Sequence, residues 1–456
     1  MVFGQGKENM RVLYTIGILL YSLGVRLAAL FGHAKAMKWV EGRRKQGSLS
    51  PSKGPIQNES VLRSFDMLKA QEPDSSWVWF HAASLGEFEQ GRPVIEALKE
   101  RHPELKVSLT FFSPSGYEVR KNYEGADIIC YLPVDTVTNA RRFLRAVRPV
   151  MAFFIKYEFW YNYLHILKHR GVPVYSVSSI FRPDQVFFRW YGRQYAHVLR
   201  CFTRFFVQNE VSRELLAKIG ITDVQVVGDT RFDRVLQIKA AAKKLPVVEA
   251  FINGERSEMS EKSTPKVFVA GSSWQPDEEI FIPWFNAHPE WKLIIAPHVI
   301  GEDHLQQIEK QLEGRKVVRY SQVTDTTLSP LSSHLSTLQD AEVLIIDCFG
   351  LLSSIYGYAD ITYVGGGFGV GIHNTLEAAV WDVPVIFGPN NQRFQEAQGL
   401  KACGGGFEIT SAEDFQQVMK HLVEEPQTLQ HAGQQSGAFV AQMTGATQLI
   451  LASAQL

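Results

Sequence analysis

Five stretches of this sequence place acids, bases or glycines where they could work on a polar substrate. His81 to Gln90, HAASLGEFEQ, follows an apolar strand pattern and opens a helical one. Ser84 and Gly86 suit a tight turn, which puts Glu87 on the first helical turn. A carboxylate there can take a proton from a hydroxyl as a general base, although a plain capping glutamate favoured by the helix dipole has the same sequence. Lys156 to Asn162, KYEFWYN, sets Glu158 behind the strand VMAFFI among polar and aromatic groups. The bland alternative is that Phe159 and Trp160 are core and Glu158 is a solvated loop acid. Gly228 to Asp233, GDTRFD, offers Arg231 to a carboxylate or phosphate, or is a turn with a surface arginine.

Gly271 to Ser273, GSS, comes directly after KVFVA. A Gly–Ser turn opening a helix points backbone N–H groups at an anion, though such turns are common. The most informative stretch is Val364 to Glu396. Gly365, Gly366, Gly367, Gly369 and Gly371 let the backbone approach a phosphate. They lack G-x-G-x-x-G spacing, so they are not a dinucleotide fingerprint, and no phosphate-binding GKS or GKT loop occurs. Asn374 opens a helix with Glu377 one turn in, where a carboxylate can accept from both ribose hydroxyls. His373 could donate to a phosphate; a lone histidine is more often structural. Gly388–Pro389 begins another loop on the same sheet edge. Arg182 to Phe206 interleaves five arginines with aromatics such as Phe187, Trp190 and Tyr191. That is either a basic, aromatic surface for a phosphorylated lipid or a helix with an aromatic core face.

The elements that must position these residues are short strands alternating with amphipathic runs from Trp77 onward. WVWFHAAS, KVSLTFF, VMAFFI, VPVYSVS, RFFVQ and VQVVG are strands in the first half. KVFVAGSS, WKLIIAPH, KVVRY, AEVLIID, ITYVGGG and VPVIFGP are strands in the second. Alternation of this kind means parallel βαβ units. Ala250 to Lys266 is polar and reads as a linker, so the expectation is two doubly wound α/β domains facing across a cleft, with ligands at the carboxyl ends of the strands. The expected limits are an anchor and basic flank over 1–45, a first domain over 46–249, a linker over 250–265 and a second domain over 266–456.

A length of 456 residues agrees, because single cores stop growing near ~250–300 residues. With 45% hydrophobic and 21% charged residues the chain is globular, not disordered. Lys+Arg and Asp+Glu both number 47, so a dedicated nucleic-acid binder is disfavoured. The 4 cysteines are far apart and form no CxxC pair, which excludes a zinc ribbon and fits a reducing compartment.

Val12 to Phe31 carries Arg26 as its only charge, and about 20 apolar residues can span a bilayer. Lys35, Lys38, Arg43, Arg44 and Lys45 follow, a flank that stays cytoplasmic by the positive-inside rule. The favoured reading is a membrane anchor, spanning or lying in the interface. A cleaved signal peptide, with Ala34 and Ala36 as an A-x-A site, and a buried soluble helix are the alternatives.

Taken together and in this order, these stretches resemble the 3-deoxy-D-manno-octulosonic acid (Kdo) transferases of lipopolysaccharide biosynthesis. These are membrane-associated glycosyltransferases of the two-Rossmann-domain GT-B type, and the resemblance runs from about Leu13 to Glu396. HAASLGE is similar to the family's Ser-x-Gly-Glu segment, which makes Glu87 the implied catalytic base with Ser84 and Gly86 beside it. KYEFWYN resembles its acidic-Trp-Asn segment, carrying over Glu158, Trp160 and Asn162. GDTRFD resembles a Gly-Asn-x-Lys-Phe-Asp turn, with Arg231 in the lysine's place, and Arg182 joins the implied acceptor and donor-sugar site. GSS resembles a Gly-Ser-Thr turn, and GGG…HNTLE…FGP the nucleotide-side block. Gly271, Ser272, Ser273, Pro297, His298, Gly350, His373, Asn374 and Glu377 are then the implied nucleotide contacts. The chain departs where Ala296-Pro297-His298 replaces Pro-Arg-His. It departs again at DCFGLL, Asp347 to Leu352, where Leu351 replaces a glutamate, and at Lys156 and Tyr161, which replace an acid and a proline.

The resemblance implies inverting, metal-independent transfer of Kdo from CMP-Kdo to a lipid A precursor of the lipid IVA type. No cofactor and no nucleic-acid partner is implied. The expected location is the cytoplasmic face of the cell inner membrane, with inner-membrane lipid as a partner. The alternative is another GT-B enzyme, a UDP-sugar transferase acting on a lipid or a sugar-nucleotide epimerase. A non-catalytic membrane-bound binding protein is a third reading, which a Glu87→Ala variant unchanged in its cellular role would favour.

Overall fold

The computed structural model describes residues 2–46, 61–253, 265–312, 314–324, 335–369 and 371–454. Its contacts divide the chain into two units, residues 1–234 with 444–456, and residues 235–443. Most of the segment read as a linker, 250–265, lies outside the described residues; its first residues end the helix Pro246–Asn253.

The first unit is built on β1 (Trp77–Ala82), β2 (Lys106–Phe111), β3 (Ile128–Tyr131), β4 (Pro149–Ile155), β5 (Val174–Ser179), β6 (Arg204–Val207) and β7 (Val224–Val226). They form a seven-stranded sheet in the order β3-β2-β1-β4-β5-β6-β7. Every pairing is parallel, with β1 between β2 and β4. The central strand is buried along its whole length because helices cover both faces, which is why WVWFHA reads as a continuous apolar run instead of an alternating one. Trp79, Phe143, Phe154 and Tyr163 pack on one face, and Phe80, Phe153 and Tyr175 on the other.

The chain's last helix, Ala446–Ser453, belongs to this first unit. Ala446, Ile450 and Leu451 join the core that holds Phe88 and Val94. The Asp233 carboxylate closes the helix start by accepting from Gly445 N at 2.6 Å and Thr447 N at 2.7 Å. The aspartate of GDTRFD is thus a cap for a helix more than two hundred residues later.

The second unit is built on β8 (Val267–Ser273), β9 (Lys292–Pro297), β10 (Val317–Arg319), β11 (Val343–Ile345), β12 (Ile361–Val364), β13 (Val385–Phe387) and β14 (Gly406–Glu408). The order is β10-β11-β9-β8-β12-β13-β14, again all parallel. Two strands, β3 and β14, have no counterpart in the sequence reading. Each is at most 4 residues long and lies at an edge of its sheet or beside a glycine, where the apolar run is too short to stand out.

Before the first sheet come the helices Val2–Leu30 and Ala34–Lys45. The first contains Met10–Leu30, long and apolar enough to cross a membrane, and little of it is buried. Arg182 to Phe206 forms no α-helix. It folds as three short 3-10 turns over Val186–Phe188, Trp190–Gly192 and Tyr195–Cys201. The helix of the second sequence reading is absent, and the aromatics divide between core and surface. Phe187 and Phe202 enter the core, whereas Trp190 and Tyr191 are exposed beside the exposed Arg189 and Arg193.

Candidate functional site

In each sheet the chain reverses its winding at one place, between β1 and β4 and between β8 and β12. Loops diverge there, so a ligand can be received at the strands' carboxyl ends. Of the residues singled out by sequence, Ser84, Gly86, Glu87 and Glu158 follow β1 and β4, Gly271 to Ser273 end β8, and His373, Asn374 and Glu377 follow β12. Pro297 ends the neighbouring β9 and His298 follows it, while Arg182, Arg231 and Gly350 follow β5, β7 and β11.

At the first, β1 runs into Ala83 and Ser84, and the helix Leu85–Arg101 begins. Ser84 is its N-cap in extended conformation, but its hydroxyl does not cap the backbone. It donates instead to Glu87 Oε2. Gly86 is exposed and Glu87 half-buried, so a substrate hydroxyl can reach the carboxylate. On β4 the chain turns through Lys156, which adopts the left-handed conformation at φ 61°. Such a backbone costs ~1–3 kcal/mol for a non-glycine residue and clusters at functional sites. Here it turns Glu158 back over the end of β1. Glu158 Oε2 accepts from Trp160 Nε1 at 2.7 Å and lies 3.0 Å from His81 Nε2. The other imidazole nitrogen of His81 is 2.8 Å from Thr110 Oγ1, on β2.

Glu158 is therefore not a solvated loop acid. It ends a buried polar chain, Thr110–His81–Glu158, that crosses three strands. His81 is fully buried. Sequence reading passed over it, though one histidine inside the apolar run WVWFHA is the signal that was available. Asn162, carried over with Glu158, goes elsewhere: its amide donates to the backbone oxygen of Asp135 at 2.7 Å, in the loop after β3.

Arg231 does not present an unbalanced charge. Its Nε and backbone N–H both donate to the buried Asp229 at 2.9 Å. Gln90 and Gln208 donate to the same carboxylate at 2.9 Å each. Burial works against that charge, but the Arg231 guanidinium and these donors hold the Asp229 carboxyl below its ordinary value. Arg182, exposed, donates to Tyr157 Oη at 3.3 Å. Burial raises the Tyr157 phenol, and Glu87 is among the anions that raise it further, which sets Glu87, Tyr157 and Arg182 in one neighbourhood.

At the second place, Gly271, Ser272 and Ser273 end β8, with Ser272 at φ 54°. A side chain on Gly271 would overlap Tyr356, and one on Gly365 the backbone of Ser272 and Ser273. A side chain on Gly367 would overlap Gly388. The glycines of this block serve first to let three loops touch one another. The helix Gln275–Ala287 follows, and its N-terminus is already occupied. The Asp277 carboxylate accepts from Trp274 N at 2.9 Å, from Gly366 N at 2.9 Å and from Tyr363 Oη at 2.8 Å. Ser273, by donating to the buried Glu278 at 2.8 Å, is likewise committed.

What the strand ends do present is a stack of rings. The His298 ring, after Pro297 on β9, lies 4.6 Å from the Trp274 ring and 4.5 Å from the His373 ring, nearly parallel to both. Trp274 Nε1 donates to His373 Nε2 at 3.2 Å, which leaves the proton of a neutral His373 on Nδ1. Burial, helped by His298, holds His373 down at about 4, and burial lowers His298 too. Both rings are neutral donors near neutral pH. Asn374 precedes the cap residue Thr375 of the short helix Leu376–Ala379 and donates to Glu377 Oε1 at 3.0 Å. Gly350 is exposed at φ 91° on the loop after β11, two strands from β8. Trp274 and Asp277 were not foreseen; WQPDE reads as an ordinary helix start. Among the described residues, no group of three or more His, Cys, Asp or Glu gathers as a metal-ligand set.

A family model described as 3-Deoxy-D-manno-octulosonic-acid transferase (kdotransferase) matches residues 58–234. The chain is 25% identical over 359 residues to a 3-deoxy-D-manno-octulosonic acid transferase of Rickettsia felis, covering 78% of this chain and 73% of that one. It is 26% identical over 402 residues to the protein of the same name from Bordetella pertussis, covering 84% and 88%. Among solved structures it is similar to a UDP-GlcNAc 2-epimerase from Neisseria meningitidis. The TM-score is 0.55 at 15% identity, over 82% of this chain and 98% of that one, and this likeness bears on the fold alone. The two parallel seven-stranded sheets and these neighbours are those of the GT-B class.

Proposed function

We propose, for a chain that belongs to the 3-deoxy-D-manno-octulosonic acid transferase family of lipopolysaccharide biosynthesis, inverting transfer of Kdo from CMP-Kdo to a lipid A precursor. The observation that carries the acceptor half is Glu87, half-exposed at the end of the central strand with Ser84 as its hydrogen-bond donor. Glu87 takes the proton from an acceptor sugar hydroxyl. That oxygen forms the new bond to the anomeric carbon of Kdo, while the bond from that carbon to the phosphate oxygen breaks on the opposite face. CMP leaves with the electron pair. Glu158, Arg182 and Arg231 frame the sugar and its acidic groups.

On the second unit, the donors for the leaving phosphate are the backbone of Gly271 to Ser273 and the neutral imidazoles of His298 and His373. The stacked Trp274–His298–His373 rings offer one flat face, and Glu377 accepts from the ribose. Charge developing on the phosphate is met by fixed donors, the arrangement that lowers a barrier most. The reaction proposed is metal-independent: EDTA should leave it intact. The anchor reading also belongs here, with Met10–Leu30 as its membrane segment and the first unit on the cytoplasmic face.

The test is incubation of detergent-solubilised full-length protein with CMP-Kdo and a tetraacylated lipid A precursor, followed by mass spectrometry of the lipid. A gain of one or more Kdo masses, lost in Glu87→Ala, is the expected result. No gain with CMP-Kdo, together with a gain from a UDP-sugar, would overturn the proposal.

A further inference from the structure

The apolar helix is fastened to the first unit at two points. Near its start, Tyr14 Oη donates to the buried Asp135 at 2.8 Å, and its ring packs against Tyr161 and Tyr195 at 5.3 and 6.4 Å. Two turns on, the Tyr21 ring lies 6.0 Å from Phe112 and 6.5 Å from Trp39. These points are about 10 Å apart along the helix. A helix crossing the ~30 Å hydrocarbon layer would carry Tyr14 towards the far side, and Asp135, buried in the loop between β3 and the helix Val137–Val147 of the first unit, would have to go with it. The fastened helix lies along the surface of the unit. Leu13, Ile16, Leu20, Leu23, Leu27 and Leu30 face outward and are exposed. Trp190 and Tyr191, 82% and 63% exposed, are on the segment that supplies Tyr195. Such aromatics favour the level of the lipid headgroups.

Between this helix, the helix Ala34–Lys45 and the loop after β2 is an open cavity of about 580 Å³, within the usual range for ligand sites. Gly24, Val25 and Ala28 form one wall, and Trp39, Phe112 and Pro114 the other. The far wall borders the candidate catalytic segment. The backbone N–H groups of Phe112 and Ser113 donate to Ala83, beside Ser84, at 3.2 and 2.7 Å. The Phe112 ring also lies 4.7 Å from that of Trp160, the donor to Glu158. Lys35 and His33 line the cavity with no acid among its lining residues, and Arg43 stacks behind Trp39 at 3.8 Å.

We propose that this cavity holds one acyl chain of the lipid acceptor, roofed by a helix that lies in the membrane plane. The inference rests on the lipid-acceptor reading above and extends it. The cavity opens beside a helix whose outer face is exposed and apolar, its wall is apolar, Lys35 in its lining suits an anionic headgroup, and its Phe112–Ser113 end is hydrogen-bonded to Ala83, next to Ser84. Holding the chain here fixes the sugar against the base, an advantage of position that a water-soluble acceptor would not gain.

The test uses the full-length protein in vesicles with a tetraacylated disaccharide phosphate carrying a diazirine on one acyl chain. Photolabel is expected on residues 21–39 and 112–114. Gly24→Leu, which extends into open space, and Ala28→Phe should abolish that label and raise KM for the acylated acceptor by about tenfold, with KM for CMP-Kdo unchanged. Gly17→Leu, exposed on the same helix and outside the cavity, is the control and should leave both values as they were. Transfer by Gly24→Leu and Ala28→Phe equal to wild type, or label confined to other residues, overturns the cavity assignment. Label in the cavity of a wild type that transfers no Kdo overturns the catalytic reading and leaves the acyl site standing.

Discussion

The two sheets receive their site residues at the same topological position and equip them in opposite ways. In the first unit the carboxylates stand at the strand ends beside polar side chains: Glu87 accepts from one hydroxyl, and Glu158 accepts from an indole and lies against an imidazole. In the second unit the corresponding acids, Asp277 and Glu278, are buried and spent on backbone and side-chain donors that knit three loops together. What remains at that edge is neutral imidazole, glycine backbone and one half-buried carboxylate, Glu377, held by Asn374. Under the proposed function the first unit supplies the proton acceptor and the second the donors for an anion.

The largest expected effect breaks the first side of this comparison. Glu87→Gln should lower transfer by about a hundredfold to ten-thousandfold, the range for losing a general base, with CMP binding by calorimetry unaltered. If CMP affinity fell with it, the division of labour would be wrong. Next is the second side. Asp277→Ala leaves Gly366 N and Trp274 N without their acceptor, and bonds to a charged group are each worth about 1.5–3 kcal/mol. A lowered Tm and a CMP affinity weakened by about tenfold or more are expected, while binding of the lipid acceptor to vesicle-bound protein holds.

A smaller effect concerns the buried His81, which lies 3.0 Å from Glu158 and would act on transfer by positioning that carboxylate. His81→Ala should lower kcat by about tenfold, and His81→Gln, which can still donate to the carboxylate, should recover much of it. A purely structural role would lower Tm in both without separating their kcat values. The smallest effect is on pH. Because folding lowers the His373 pKa to about 4 from 6.5, the unfolded chain binds more protons between those values. The stability this residue contributes is therefore present above about pH 6.5 and is lost as pH falls towards 4. Urea unfolding followed over that window should show the slope, and His373→Asn should flatten it.

Length, the alternation of apolar and amphipathic runs, and the glycine-rich turns were enough to predict two parallel α/β sheets. Strand patterns such as WVWFHA and WKLIIAP carry that information locally, because a strand covered on both faces must be apolar throughout. The family resemblance, too, was carried by short contiguous segments, and so were the identities of Glu87, Glu158 and His373. The edge strands β3 and β14 escaped, being too short for any period to show.

Pairings across the chain depended on the tertiary structure. The meeting of His81 with Glu158, the balancing of Arg231 by Asp229, and the capping of the last helix by Asp233 all join residues brought together by strand order or helix packing. The same is true of the glycines. Sequence marks them as places of close approach, but only the fold shows that Gly365 and Gly367 admit neighbouring loops. The N-terminal helix makes the point most plainly. Its composition makes it a candidate membrane segment, while the orientation proposed for it rests on Tyr14 reaching the buried Asp135, 121 residues away, and on Tyr21 packing near Phe112, contacts that no local pattern encodes.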